Sequence, residues 1–195
     1  MKRHQLATLF GALGLAGLGA AAVGVPQLFI ASDRCLACHN GLVTPRGEDV
    51  SIGAEWRTTM MANAARDPYW QAAIRRETLA HPTAAAAIEN ECSACHMPMM
   101  RTQAKMEGRK GRVFAHLPVV PSRNPEQTLA VDGVSCALCH QIAPDKLGTR
   151  ESYVAGFAVD ASTPAGRRKV FGPFDVDEGR RQAMLSSSGF LPEKG

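Results

Sequence analysis

Three five-residue stretches share one pattern: Cys35-Leu36-Ala37-Cys38-His39, Cys92-Ser93-Ala94-Cys95-His96 and Cys136-Ala137-Leu138-Cys139-His140. In each, two thiols three residues apart are followed at once by an imidazole. C-x-x-C-H is the attachment signature of c-type haem. The thiols add across the two vinyl groups of the porphyrin, and the histidine turns back to ligate the iron. On a helix, positions i, i+3 and i+4 share a face, so Cys92, Cys95 and His96 can all meet one flat macrocycle. The competing chemistry for C-x-x-C is zinc. Zinc sets usually pair two such knuckles, or one knuckle with a separate pair of histidines. A histidine directly after the second cysteine suits haem and is awkward for a tetrahedral ion. Three motifs predict three covalent haems c, with Cys35, Cys38, Cys92, Cys95, Cys136 and Cys139 as attachment points. His39, His96 and His140 are the proximal ligands.

The distal ligands are in short supply. The chain has six histidines, and His4 lies in the N-terminal apolar region. Only His81 and His116 remain for three distal positions, so both are candidates. The third iron is left with a methionine, another group, a partner chain or an open face. Among the methionines Met60, slightly ahead of Met61, is the candidate thioether ligand. Met97, Met99 and Met100 follow His96 too closely to reach the opposite face of its haem and are expected to pack at a porphyrin edge. Trp56, Tyr69 and Trp70 are expected to pack against haem. No phosphate loop, nucleophile elbow or C-x-x-C-K variant is present, and no catalytic residue is assigned.

The surrounding chain reads as a housing. Residues 1–30 carry Lys2, Arg3 and His4, then an apolar run with small residues at its end. Such a segment is a secretory signal peptide or an N-terminal membrane anchor, and both readings stay open. Both place residues 31–195, the expected triheme domain, outside the cytoplasmic membrane, in the periplasm. All six cysteines fall inside the motifs, so no structural disulfide is expected in the holoprotein. The net charge of +4 falls by two once Lys2 and Arg3 leave. Six ionised propionates would carry it to about −4. The short cluster Arg109-Lys110-Gly111-Arg112 reads as a solvated loop or a propionate neighbour, and no nucleic-acid footprint is visible. With aromatic residues at only 6%, the protein core is expected to be thin, the haem faces to replace it, and the haem-free chain to fold poorly.

Turn and cap signals predict a mainly α, loop-rich fold. Helices are expected over 31–40 at the first motif, 54–65, 69–80 after Asp67-Pro68, 84–96, 99–107, 125–130 after Asn124-Pro125, 134–142 at the third motif, and 177–185. Residues 113–117 read as a short extended piece. A small β-hairpin is expected from 152–159 and 169–174, and the tail through Gly195 shows no closing element. A truncated chain is one reading of that ending.

Three segments carry a resemblance: residues 56–68, the stretch from Cys92 to Met99, and the stretch from Gly133 to Gln141. Together they resemble multihaem c-type cytochromes of the cytochrome c-552/c-554-like superfamily, over roughly residues 33–175. The resemblance implies helical, loop-rich structure around closely stacked haems, working in periplasmic electron transfer, and one haem that is five-coordinate. Relatives often carry four or more haems, so this chain is short of the pattern. The expected function is one-electron transfer between periplasmic or membrane-bound redox partner proteins. The alternatives are a haem enzyme acting on a small nitrogen or sulfur compound at an open distal face, and a part of a larger assembly with further multihaem subunits. The second motif, between His81 and His116 in sequence, is expected to hold the central, bis-histidine relay haem.

Overall fold

The computed structural model describes residues 25–195. The signal or anchor expected over 1–30 therefore lies almost wholly outside the described residues. Among the described residues no helix is long and apolar enough to cross a membrane. The last residues of that segment, 25–30, are described. Leu28 and Phe29 are fully buried in the core. The Leu28 amide donates to Gln103 Oε1 (2.8 Å), and Gln141 Nε2 donates to the Leu28 carbonyl (3.0 Å).

Helices dominate, as the composition predicts. They are α1 (Ser32–Leu36), α2 (Ile52–Arg57), α3 (Pro68–Ala80), α4 (Ala85–His96), α5 (Pro98–Met106), α6 (Pro125–Val131), α7 (Cys136–Cys139) and α8 (Glu178–Ser188). Local chemistry sets the clearest boundaries. Asp67 caps α3 by accepting from the Tyr69 amide (2.9 Å), with Pro68 at the first helical position. His81, held out of the helical region before Pro82 at φ −127° and ψ 64°, ends it. Asn124 caps α6 in the same way, ahead of Pro125. Met97 breaks α4 from α5, and Pro98 opens α5.

Trp70, Ile74 and Thr78 form the buried stripe of α3, spaced four residues apart. α3 packs on α4, α4 on α5, and α5 on α6. The core joins Leu28, Phe29, Ile74, Leu129 and Leu138 to Met97, Met99 and Met100, which are at most 1% exposed. These methionines fill a protein core, with the unbranched, adaptable thioether suited to an irregular gap.

Several expected elements change. The helix expected over 54–65 stops at Arg57. The Thr58 and Thr59 hydroxyls donate to the Glu55 and Trp56 carbonyls, and Asn63 Nδ2 donates to the Arg57 and Thr59 carbonyls. These local bonds compete with the helical ladder and wind the chain into turns. The extended piece at 113–117 is a 3₁₀ turn, Phe114–His116. The third motif helix is confined to Cys136–Cys139.

The expected hairpin is instead a parallel pair. Strand β1 (Arg168–Gly172) pairs with β2 (Phe190–Lys194), Arg168 opposite Phe190. Parallel strands need a long crossover, and α8 supplies it. Gly189, at φ +79°, ends α8 in the left-handed conformation and turns the chain into β2. The tail thus ends in a strand, where the sequence suggested no closing element. Residues 152–159 form no strand, because Val154 and Ala155 take positive φ and interrupt any extended run. Only an isolated bridge joins Val159 to Ile142.

Candidate haem attachment sites

In the second and third motifs both residues between the cysteines are buried, Ser93 and Ala94, Ala137 and Leu138; in the first, Leu36 is buried and Ala37 is exposed. The second thiol of each motif, on Cys38, Cys95 and Cys139, is exposed, and the first, on Cys35, Cys92 and Cys136, is half-buried. Each motif is anchored by at least one inner side chain, with its second cysteine more exposed than its first. His39 and His140 are exposed and His96 is half-buried.

Two of the three motif histidines are oriented by backbone carbonyls. His96 Nδ1 lies 2.7 Å from the Ala64 carbonyl, and His140 Nδ1 lies 2.6 Å from the Phe171 carbonyl. A carbonyl oxygen only accepts, so each Nδ1 carries the proton and donates it. Nε2 is then left with a free lone pair, the tautomer a metal ligand needs. Trp70 stacks flat on His96, ring centres 4.1 Å apart and planes 4° apart, and fixes the imidazole plane. The Phe171 amide donates back to the His140 carbonyl (2.7 Å), so β1 clamps the third motif from both sides.

The first and third motifs sit together. α1 packs on α7. The Ser32 amide and hydroxyl both donate to the buried Asp132 carboxylate, at 2.8 and 2.7 Å. Asp132 thereby caps the start of α1, which has no side-chain cap of its own. The Cys35 and Cys136 thiols are coupled across the two motifs. This raises the Cys35 pKa and, against burial, lowers that of Cys136 to about 7. Cys136 is therefore the thiol with more thiolate at neutral pH, and thiolate is the nucleophilic form. Burial raises Cys92 and Cys139, with the neighbouring Cys95 and Cys136 sulfurs adding to it.

The candidate distal residues differ. His116 is 8% exposed. Its Nδ1 pairs with Gln127 Oε1 (3.1 Å), and Gln127 Nε2 donates to the His116 carbonyl (2.9 Å). The other ring nitrogen, Nε2, faces the Glu126 carboxylate at 3.9 Å. The His116 turn is tied to the second-motif helix pair, because the Phe114 amide donates to Glu89 and Arg75 lies 3.7 Å over the Phe114 ring. His81 is solvent-facing, 3.9 Å from Glu77. It lies beyond the N-terminal end of α4, which separates it from His96 by about 16 Å of helix. Met60 is 86% exposed and Met61 53%. Their turn joins two motifs: Ala64 backs His96, while the Met61 carbonyl accepts from the Val134 amide just before the third motif. Trp56 Nε1 also donates to the Val134 carbonyl.

Sequence reasoning missed Asp132, Ala64 and Phe171. Asp132-Gly133 carried only a helix-break signal. Ala64 and Phe171 act through their carbonyls, which leave no trace in residue type. Among the described residues no group of three or more His, Cys, Asp or Glu side chains converges to hold a single metal ion. The residues present fit haem: paired thiols, with the free Nε2 of the adjoining histidine set in two motifs by a fixed partner. Comparison with protein-family models, with curated proteins and with solved structures finds no match.

Proposed function

We propose that this chain is a periplasmic c-type cytochrome that carries single electrons on three covalent haems. The observation that carries the reading is the motif itself, repeated three times with its second cysteine exposed each time and its histidine held by a backbone carbonyl in two. Bound haem supplies a one-electron iron couple. The chain's own part is to hold and orient. Cys35, Cys38, Cys92, Cys95, Cys136 and Cys139 fix the macrocycles, and His39, His96 and His140 offer Nε2 to the irons. Ala64 and Phe171 hold two of those imidazoles by their N–H. His116 is the best-prepared distal ligand, being buried and clamped by Gln127. His81 and Met60 are the other candidates.

Contact between α1 and α7 supports a close pair of first and third haems, in place of a central second haem. The second joins them through residues 56–64, which touch both His96 and the start of the third motif. Redox partner proteins, soluble or membrane-bound, and further multihaem subunits are the proposed partners, with the N-terminal segment as export signal or anchor.

A haem enzyme with an open distal face is the second reading. It is favoured by the exposure of His81 and Met60, which leaves His116 as the one buried candidate among the three. The reduced holoprotein with carbon monoxide separates the two. The carrier reading expects an unchanged Soret band. A carbon monoxide shift on about one haem in three would move the assignment to the enzyme.

A further inference from the structure

A cavity of about 100 Å³ lies behind the third motif, lined in part by Gln141, Asp160, Thr163, Arg168 and Phe171. Two of these side chains are buried with polar atoms left over. Arg168 is 2% exposed. Its Nε donates to the Thr163 carbonyl (3.2 Å) and its Nη1 to the Gln27 carbonyl (2.7 Å), while Nη2 has no partner. Gln141 is 3% exposed; its Nε2 donates to the Leu28 and Ala137 carbonyls, while Oε1 has no partner.

Guanidinium stays charged in proteins. Both partners of Arg168 are neutral, and among the described residues it forms no ion pair. Asp160 is the nearby carboxylate, but its oxygens accept from Ser162 and Thr163. Arg168 is thus a buried cation with an unused donor beside a cavity, acted on by Asp160 only through space and bonded directly to no anion. The site also adjoins the third motif directly. Gln141 follows His140, and Phe171 exchanges two hydrogen bonds with it.

We propose that this cavity is a carboxylate site with Arg168 as its cation. Under the three-haem reading, on which this source rests, the carboxylate is a propionate of a neighbouring haem; the other source is a free carboxylate from solution. Planar, forked guanidinium suits a carboxylate geometrically. A positive charge there favours the reduced iron, so its loss lowers that haem's potential.

The test uses the wild-type holoprotein and Arg168→Met and Arg168→Lys variants. The three potentials are titrated with and without added acetate, and haem content is read separately as the pyridine haemochrome. If a propionate fills the site, Arg168→Met lowers one potential and leaves two in place, Arg168→Lys lies between, and acetate changes nothing. If the carboxylate is free, acetate shifts one potential in the wild type and none in Arg168→Met. Three unchanged potentials in Arg168→Met, with no acetate response, would overturn the site and leave a water-filled cavity. Should Arg168→Met lose its helicity, Arg168→Lys decides: a smaller shift of one potential supports the site, and no shift overturns it. A chain that proves to carry no haem refutes the three-haem reading alone. Acetate must then raise the melting temperature of the wild type but not of the variant, and a failure to do so overturns the site.

Discussion

Replacing Gly133 by alanine is expected to destabilise the protein by about 3–5 kcal/mol, among the largest effects available to one added methyl group. Gly133 adopts φ +67°, a conformation that costs other L-residues about 1–2 kcal/mol. The larger cost is contact. A Cβ there would sit 2.5 Å from the Met61 carbonyl oxygen and 2.8 Å from that of Ala62, both backbone atoms. Neither can swing aside as a side-chain tip would. The Met61 carbonyl is also the acceptor for Val134. Relieving the clash pulls the 56–64 turn away from the third motif, and that turn carries the Ala64 carbonyl that backs His96. Urea unfolding of the holoprotein measures the loss. A midpoint close to wild type would show that the two segments are not packed backbone to backbone.

The neighbouring residue carries the second large effect. Asp132→Ala is expected to cost about 3 kcal/mol, because it leaves the buried Ser32 amide and hydroxyl without acceptors. Both bonds are to a carboxylate, roughly twice as strong as neutral ones. Asp132→Asn keeps the shape and one acceptor oxygen, so about half that loss is expected. The change also has a local readout. Asp132 holds the first attachment helix against the third, so the Cys35 and Cys136 haems should lose their mutual alignment before the second haem responds. EPR of the oxidised variant would show altered magnetic coupling between one pair of haems. Equal stability of Asp132→Ala and wild type would mean that α1 is placed by other contacts.

These two positions also show what a sequence can and cannot say. The Asp67 and Asn124 caps and the proline stops at Pro82 and Pro98 were legible, because each is settled within a few residues. Asp132 was not, because its partner Ser32 lies a hundred positions away. The bonds of Leu28 to Gln103 and Gln141 were not legible either, because those partners lie 75 and 113 positions away. The strand pair was misjudged in partner and direction. The tail's Phe190–Lys194 pairs with β1 only because α8 returns it there, and nothing in Ser152–Val159 announced that Val154 and Ala155 would turn. The thin-core expectation met a core closed by Met97, Met99 and Met100, residues the sequence assigned to haem packing.

The most direct test of the account is the mass of the purified protein under denaturing conditions, read together with its pyridine haemochrome. Three haem masses per chain, with no free thiol on Cys35, Cys38, Cys92, Cys95, Cys136 or Cys139, is the result the account predicts. Fewer than three, or free cysteines at any of the motifs, would contradict it.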